Sequence, residues 1–331
     1  MVDPCNLTVL IPGFECRPFL EKQSESLAIL RKRGAKILWL ITPSSDSSEL
    51  KAREICTDTG DELHLAPKGL YQSWNYGITK TKTEFVYFST INDFTLGDEV
   101  LRMCDALQFT NADLCFSPPN PHNPDGSLNK LVRSWPVHTN KSLLERWCTK
   151  PLPTPLLIAL QVNNGLSCLL GSWASIVSRT SVLRTNPFPT KFGHHSDTLW
   201  FYQNLLDLQL IYYPKPIAYF ATWSTFKKKQ FSDEELYYQY RQAVVRLFNR
   251  ARKEDIFLKR SFDRFRKFYA ALYILNKNRG AHPKRFWWLQ SKLWILRFKR
   301  CIASFRLGSW QEHWKDQSPN ALRSQRRLIN K

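Results

Sequence analysis

None of the eight cysteines of this 331-residue chain stands in a C-x-x-C pair. That spacing excludes the common zinc frameworks. Several of the cysteines sit in apolar runs, as small buried hydrophobes do, so free thiols in a reducing compartment are expected. No stretch approaches ~18 uncharged apolar residues, so no transmembrane helix is expected. No Lys/Arg-led apolar segment opens the chain, so no signal peptide is expected either. Internal repeats are absent. Acidic residues are scarce in the last third: Lys227 to Lys331 holds 27 Lys and Arg against 8 Asp and Glu, while the first 226 residues hold 21 against 20. Nearly all of the net charge of +20 therefore lies in the extension. A near-neutral body with a basic extension suggests a polyanionic partner, either a nucleic acid or an anionic membrane face.

What is present reads as a globular α/β chain, with 43% hydrophobic and 14% aromatic residues. Leu7–Ile11 and Ile37–Ile41 read as apolar strands, and Glu62–Leu65, Phe85–Ser89 and Ala112–Phe116 as further short strands. The spacing predicts helices over Phe19–Arg33, Glu49 to about Thr59 with Ser48 as its cap, Leu70–Thr79 and Asp98–Phe109. Ser117–Pro155, rich in Pro and Asn, reads as a long loop. Gly171–Ser178 reads as a strand, Thr185–His195 as a second loop, Thr198–Leu208 as a helix and Leu210–Tyr213 as a strand. From Phe231 onward the pattern is helical and basic. Strands alternating with helices imply βαβ units and a mostly parallel sheet. Ligands bind beyond the carboxyl ends of such strands, which directs attention to the residues after Ile11, Ile41 and Ser89.

The segment Gly69-Leu70-Tyr71-Gln72-Ser73-Trp74-Asn75-Tyr76-Gly77-Ile78 is followed, beyond one strand, by Asn92-Asp93. A carboxylate at that strand end can hold a divalent metal against a diphosphate; it can equally cap a turn. Three segments together resemble family 2 glycosyltransferases over about residues 7–225. Thr8-Val9-Leu10-Ile11-Pro12 is similar to their opening strand. Gly69–Ile78 is similar to their "GLYxAWNxGI" segment. Glu84-Phe85-Val86-Tyr87-Phe88 is similar to the strand leading to their metal-binding Asp-x-Asp. The resemblance implies a GT-A type, Rossmann-like domain over residues 1–226, with a mostly parallel sheet flanked by helices. A basic α-helical extension would follow over 227–331.

The resemblance also implies site residues. Asp93 and Asn92 fall where the family's metal ligands lie, so Mg²⁺ or Mn²⁺ is implied as cofactor. Trp74 and Asn75 would shape the donor pocket, and Pro12, Phe14, Glu15 and Thr42 would lie near the nucleobase. The sequence departs from the family twice. Ile41-Thr42-Pro43-Ser44-Ser45-Asp46 lacks the acidic residues usual directly after the second strand. Thr90-Ile91-Asn92-Asp93 retains one carboxylate of the usual Asp-x-Asp-Asp. A catalytically dead relative that only binds a glycan or nucleotide therefore stays open.

Phe192-Gly193-His194-His195-Ser196-Asp197-Thr198-Leu199-Trp200 places a carboxylate at a helix start. By resemblance Asp197 is the general base of an inverting transfer; by position alone it or Ser196 is a helix cap. A helix N-terminus keeps such a carboxylate ionised and weakens its basicity. His195 and Trp200 fall on the acceptor side, with Trp173 of Gly171–Arg179 available to stack on a sugar. The partners implied are a nucleotide-sugar donor and a glycan or lipid-linked glycan acceptor.

In the extension, Lys284-Arg285-Phe286-Trp287-Trp288 and Trp294-Ile295-Leu296-Arg297-Phe298-Lys299-Arg300 set aromatics among cations at helical spacing. That composition suits an interfacial helix on anionic lipid. It also suits plain packing with a solvated basic face, or single-stranded nucleic acid. The lipid-linked acceptors common in the family favour a membrane surface over nucleic acid. The expected location is cytoplasmic, peripheral on the inner face of a membrane.

Overall fold

The computed structural model describes residues 5–122, 127, 135–148, 150–163, 168–221 and a few positions between 238 and 246. The chain divides into two units, Met1–Glu254 and Asp255–Lys331. The expected boundary at 226/227 and the basic aromatic segments lie outside the described residues.

Seven strands make the main sheet: β1 (Leu7–Gly13), β2 (Lys36–Ile41), β3 (Glu62–Leu65), β4 (Phe85–Phe88), β6 (Leu114–Phe116), β8 (Ile176–Arg179) and β9 (Leu210–Tyr212), in the order β3-β2-β1-β4-β8-β6-β9. All pairings are parallel except those of β8, which runs antiparallel between β4 and β6. All seven residues of β1 and all four of β4 are buried. Continuous apolar strands of this kind belong to a sheet covered on both faces.

Alternation along the strands decides which helix covers which face. Val9, Ile11, Trp39, Ile41 and Tyr87 join one core cluster with residues of α1 (Leu20–Ser26), α2 (Ala28–Lys32), α3 (Ser48–Thr59) and α5 (Gly97–Thr110). Leu10 and Leu40 face the other way, toward α4 (Leu70–Lys80). There Gly77 permits the close approach: a Cβ at that position would collide with Leu40 Cδ1. A second, three-stranded sheet joins β5 (Phe94–Thr95), β10 (Ala218–Ala221) and β7 (Asn120–His122) in the order β5-β10-β7.

Some elements depart from the sequence expectation. The single helix over 19–33 is two, α1 and α2, broken at Leu27. The Ser24 carbonyl accepts from Leu27 N at 3.1 Å and from Arg31 Nη1 at 2.6 Å, which tightens the chain there. Arg31 is in turn anchored on Asp61 at 2.7 Å, and Trp39 Nε1 donates to the same carboxylate at 2.9 Å. Ser48 does not cap α3 but begins it. The capping acceptor is Asp46, whose Oδ1 takes Ser48 N at 3.0 Å. The 117–155 loop contains β7, α6 (Pro136–Thr139), α7 (Lys141–Leu144) and the start of α8 (Thr154–Asn163). Trp173 lies in a 3-10 turn, Trp173–Ser175, and the strand proper begins at Ile176. A short helix, α9 (Thr180–Thr185), follows β8 and was not legible.

Among the described residues no helix is long and apolar enough to cross a membrane. The seven described cysteines are free thiols.

Candidate active site

The carboxyl ends of β1, β2 and β4 converge on one edge of the sheet. After β1 the chain turns through Phe14 and Glu15, the latter with φ +49°, a left-handed conformation uncommon outside glycine. Phe14 is 44% exposed, and Lys68 Nζ stands 5.1 Å from its ring centroid. Pro12 is buried within β1 opposite Leu40. Thr42 is buried too, with its N–H donating to Gly13 O at 2.8 Å and its hydroxyl to Pro67 O at 3.2 Å. The turns after β1, β2 and β3 are thereby tied into one rim.

Asp46, the one carboxylate of the β2–α3 loop, turns inward on that loop. Burial works against its ionisation. Hydrogen bonds from the Ser44 and Ser48 hydroxyls and from the Arg17 and Ser48 N–H groups outweigh it and hold the carboxyl well below its ordinary range. Its acceptor capacity is used in fixing the loop.

β4 leads to Ser89, Thr90, Ile91, Asn92 and Asp93. Asn92 has φ +71°, the left-handed conformation that Asn tolerates better than other non-glycine residues. A relay holds it there: Asn92 N donates to Gln23 Oε1 at 2.9 Å, and Gln23 Nε2 donates to Ser89 Oγ at 2.7 Å. The turn closes through Asp93 N to Thr90 O at 3.0 Å, and Asp93 is only 4% exposed. No group of three or more His, Cys, Asp or Glu that could hold a metal occurs among the described residues. The donor set at this turn is thus one carboxylate and one amide oxygen. That set suits a hard cation that keeps several waters and gains its remaining ligands from a diphosphate. It does not suit a caged structural metal.

α10 (Ser196–Asn204) carries Asp197 in its first turn. The N-cap is His195, with no side-chain cap bond, so neither Ser196 nor Asp197 acts as the cap. Asp197 Oδ1 accepts from Thr198 N at 2.5 Å and Thr198 Oγ1 at 3.2 Å, and the carboxyl also accepts from the Tyr71 hydroxyl. Asp197 keeps part of its surface exposed. Its carboxyl nevertheless lies among protein groups, and that burial pushes it up to about 6 despite the hydrogen bonds from Thr198 and Tyr71. Desolvation is the largest cause of that shift and outweighs the hydrogen bonds that favour the ionised form.

Tyr71, which meets Asp197, belongs to a cluster of packed rings. Tyr71, at the start of α4, meets Trp74 edge-on at 5.1 Å, and Trp74 packs on Phe88 of β4 at 4.4 Å. Trp173, Phe188 and Trp200 complete the cluster, with centroids 4.7 to 5.5 Å apart. Asn75 clamps it by exchanging two 2.9 Å bonds with the backbone of Phe188. Trp74, Trp173 and Trp200 are all buried, and Trp200 Nε1 is committed to Asn186 O at 2.5 Å. The expected stacking faces of Trp173 and Trp200 are therefore covered by neighbouring rings, because edge-to-face packing buries more aromatic area than an open face would. The indole N–H groups of Trp74 and Trp173 are buried with no acceptor among the described residues.

Composition and spacing missed three features: the Tyr71 bond to Asp197, the Lys68 cation over Phe14, and the Gln23 relay beneath Asn92. Only Tyr71 lay inside a segment that the sequence singled out.

Comparison with solved structures identifies the fold. Residues 1–349 of S. aureus TarS, in complex with UDP-GlcNAc, superpose with a TM-score of 0.55 at 14% identity, over 78% of this chain and 70% of that one. The fold is GT-A. The longer TarS structure gives a TM-score of 0.54 at 14% identity over 84% of this chain and 44% of that one. The mannosyltransferase PcManGT from Pyrobaculum calidifontis, in complex with GDP-Man and Mn²⁺, matches at 0.49 and 12% identity over 95% and 88%. No protein-family model matches the sequence, and no curated protein does. In this GT-A domain the mostly parallel sheet flanked by helices is as the sequence led us to expect.

The Tyr71 contact yields a test of the site. Tyr71→Phe removes a donor to the Asp197 carboxylate while leaving the ring packing in place. A hydrogen bond to a charged group is worth about 1.5–3 kcal/mol. Losing it should push the Asp197 carboxyl up further, because the bond favours the ionised form. The acid limb of the kcat–pH profile should therefore move to higher pH. Donor KM should hold. A profile unchanged from wild type would leave Tyr71 with packing alone.

Proposed function

We propose that the chain is an inverting glycosyltransferase that moves a sugar from a nucleoside-diphosphate donor to a hydroxyl acceptor. The observations that carry this reading are a GT-A sheet with a buried carboxylate, Asp93, after β4, and a second carboxylate, Asp197, raised to about 6. The UDP-GlcNAc bound by TarS supports a nucleotide sugar as the ligand class. Phe14 and Lys68 would flank the base, with Pro12, Glu15 and Thr42 forming the rim. Asp93, with the Asn92 amide oxygen, would hold Mg²⁺ or Mn²⁺. When bound, that ion offsets the charge of the diphosphate.

Asp197 accepts the proton of the acceptor hydroxyl as its oxygen bonds to the anomeric carbon. The bond from that carbon to the phosphate oxygen breaks, and the nucleoside diphosphate leaves with the electron pair. A base titrating near 6 is ionised at neutral pH, yet basic enough to assist. His195, beside Asp197, would lie on the acceptor side. Proton NMR of the first-formed product tests the mechanism: an anomer opposite to that of the donor is expected, and a retained anomer would overturn it.

One observation favours a second reading, a GT-A protein that binds a nucleotide without turnover: Thr90-Ile91-Asn92-Asp93 keeps a single carboxylate. Tight binding of the nucleotide with no product would select it.

For the basic extension we propose an anionic membrane surface, near a lipid-linked acceptor. Each Lys or Arg near such a surface contributes about 1 kcal/mol. Removing residues 255–331, the second unit, should abolish sedimentation with anionic vesicles and leave a folded body. Binding of a single-stranded oligonucleotide in place of vesicles would reverse that assignment.

A further inference from the structure

The small sheet has two unlike faces, and its register shows which residues share each. Thr95 pairs with Ala218, and Phe94 with Tyr219. On the other side of β10, Tyr219 pairs with Asn120 and Ala221 with His122. Side chains alternate along a strand. Phe94, Tyr219 and His122 therefore stand on one face, and Thr95 and Phe220 on the other. The second face is turned into the domain. Thr95 is buried, its hydroxyl bonded to Ser89 Oγ at 2.9 Å and to the Tyr87 hydroxyl at 3.3 Å, while Phe220 meets Trp135 edge-on at 5.4 Å.

The first face carries a row of rings. Phe94 and Tyr219 are stacked, with centroids 6.0 Å apart and planes 28° apart, and His122 lies 4.3 Å from Tyr219. Phe94 is 41% exposed, and Tyr219 and His122 keep part of their surface open. This row begins at the residue directly after Asp93. Its position is fixed from below as well, because Ser89 belongs both to the Thr95 bond and to the Gln23 relay that holds Asn92.

We propose that Phe94, Tyr219 and His122 form an acceptor platform on which a pyranose ring of a glycan stacks. This rests on the transferase reading above. One face of a pyranose carries axial C–H groups with partial positive charge, and the face of an aromatic ring is negative. The near-parallel pair Phe94–Tyr219 offers a continuous surface for such a ring. Trp173, the aromatic that the resemblance offered for stacking, is enclosed in the core, as is Trp200 of the acceptor side. Phe94 directly follows Asp93 in the chain, so a sugar seated on the platform would lie close to that turn.

Saturation-transfer NMR of the full-length protein tests this, with aromatic protons irradiated and maltotriose, chitotriose and mannotriose as probes. Wild type should transfer saturation to the C–H protons of at least one probe. Phe94→Ala and Tyr219→Ala should each reduce the signal by about fivefold or more, and Tyr219→Phe should retain it. Calorimetric binding of UDP and GDP with Mn²⁺, measured on the same samples, should be unchanged in all three variants. No transfer to any probe, or transfer undiminished in both alanine variants, overturns the platform. So does a wild-type dimer that either alanine variant converts to monomer, since a second copy would then occupy the face. Failure of wild type to bind any nucleotide would instead strike the transferase reading and leave the sugar result to stand by itself.

Discussion

Asp197→Asn lowers turnover by on the order of 10² or more, the scale of a lost general base, and leaves donor affinity nearly unchanged. Asn keeps the size of Asp and can still accept from Thr198 N and Thr198 Oγ1, so the first turn of α10 stays intact. The wild-type rate should rise with pH through about 6, where burial has pushed the Asp197 carboxyl, and the residual rate of the variant should lack that limb. Stability supplies an independent check with a definite sign. A carboxyl raised from 3.8 to about 6 on folding contributes stability below 3.8 that is lost as pH rises through about 6. Wild type should therefore lose melting temperature across that window relative to Asp197→Asn. Near wild-type turnover in the variant would leave Asp197 only its local hydrogen bonds.

Asp93→Ala abolishes metal-dependent binding of a nucleoside diphosphate and leaves the fold intact. The loop is held by Gln23, Ser89 and Thr95 rather than by the Asp93 side chain alone, so the turn should survive the truncation. With one carboxylate and one amide oxygen as the protein's share, Mn²⁺ alone should bind too weakly to register, and nucleotide and metal should bind together. Calorimetry on both proteins, with Mn²⁺, with UDP or GDP, and with both, reads this directly. Equal binding by wild type and variant would remove the metal role. Tight binding of Mn²⁺ without nucleotide would point to further ligands.

The sheet was legible because its strands are apolar runs closed by polar turns. Thr8–Pro12 and Glu84–Phe88 appear in the structure as adjacent parallel strands ending at the same edge. Segment Gly69–Ile78 was legible as a helix, but the duties of its residues were not. Asn75 and Trp74 turn inward to hold Phe188 and Phe88, and only packing distances reveal that. Burial was equally hidden for Trp173 and Trp200, since aromatic content does not separate a ring enclosed by other rings from one that faces a sugar. Tyr71 and Asp197 meet across a long separation in sequence, with no local pattern to announce the contact. β5 is two residues long, too short for alternation to show that Phe94 and Thr95 face opposite ways. The break at Leu27 depended on Arg31 reaching back to Ser24, a contact drawn by the distant Asp61.

The central claim is that this GT-A domain splits a nucleotide sugar. Incubating the full-length protein with UDP- and GDP-linked sugars and Mn²⁺, and following release of nucleoside diphosphate, tests it most directly. At least one donor should yield diphosphate in wild type at a rate that Asp93→Ala and Asp197→Asn both reduce. Release from no donor, together with no calorimetric binding of UDP or GDP, would contradict the account.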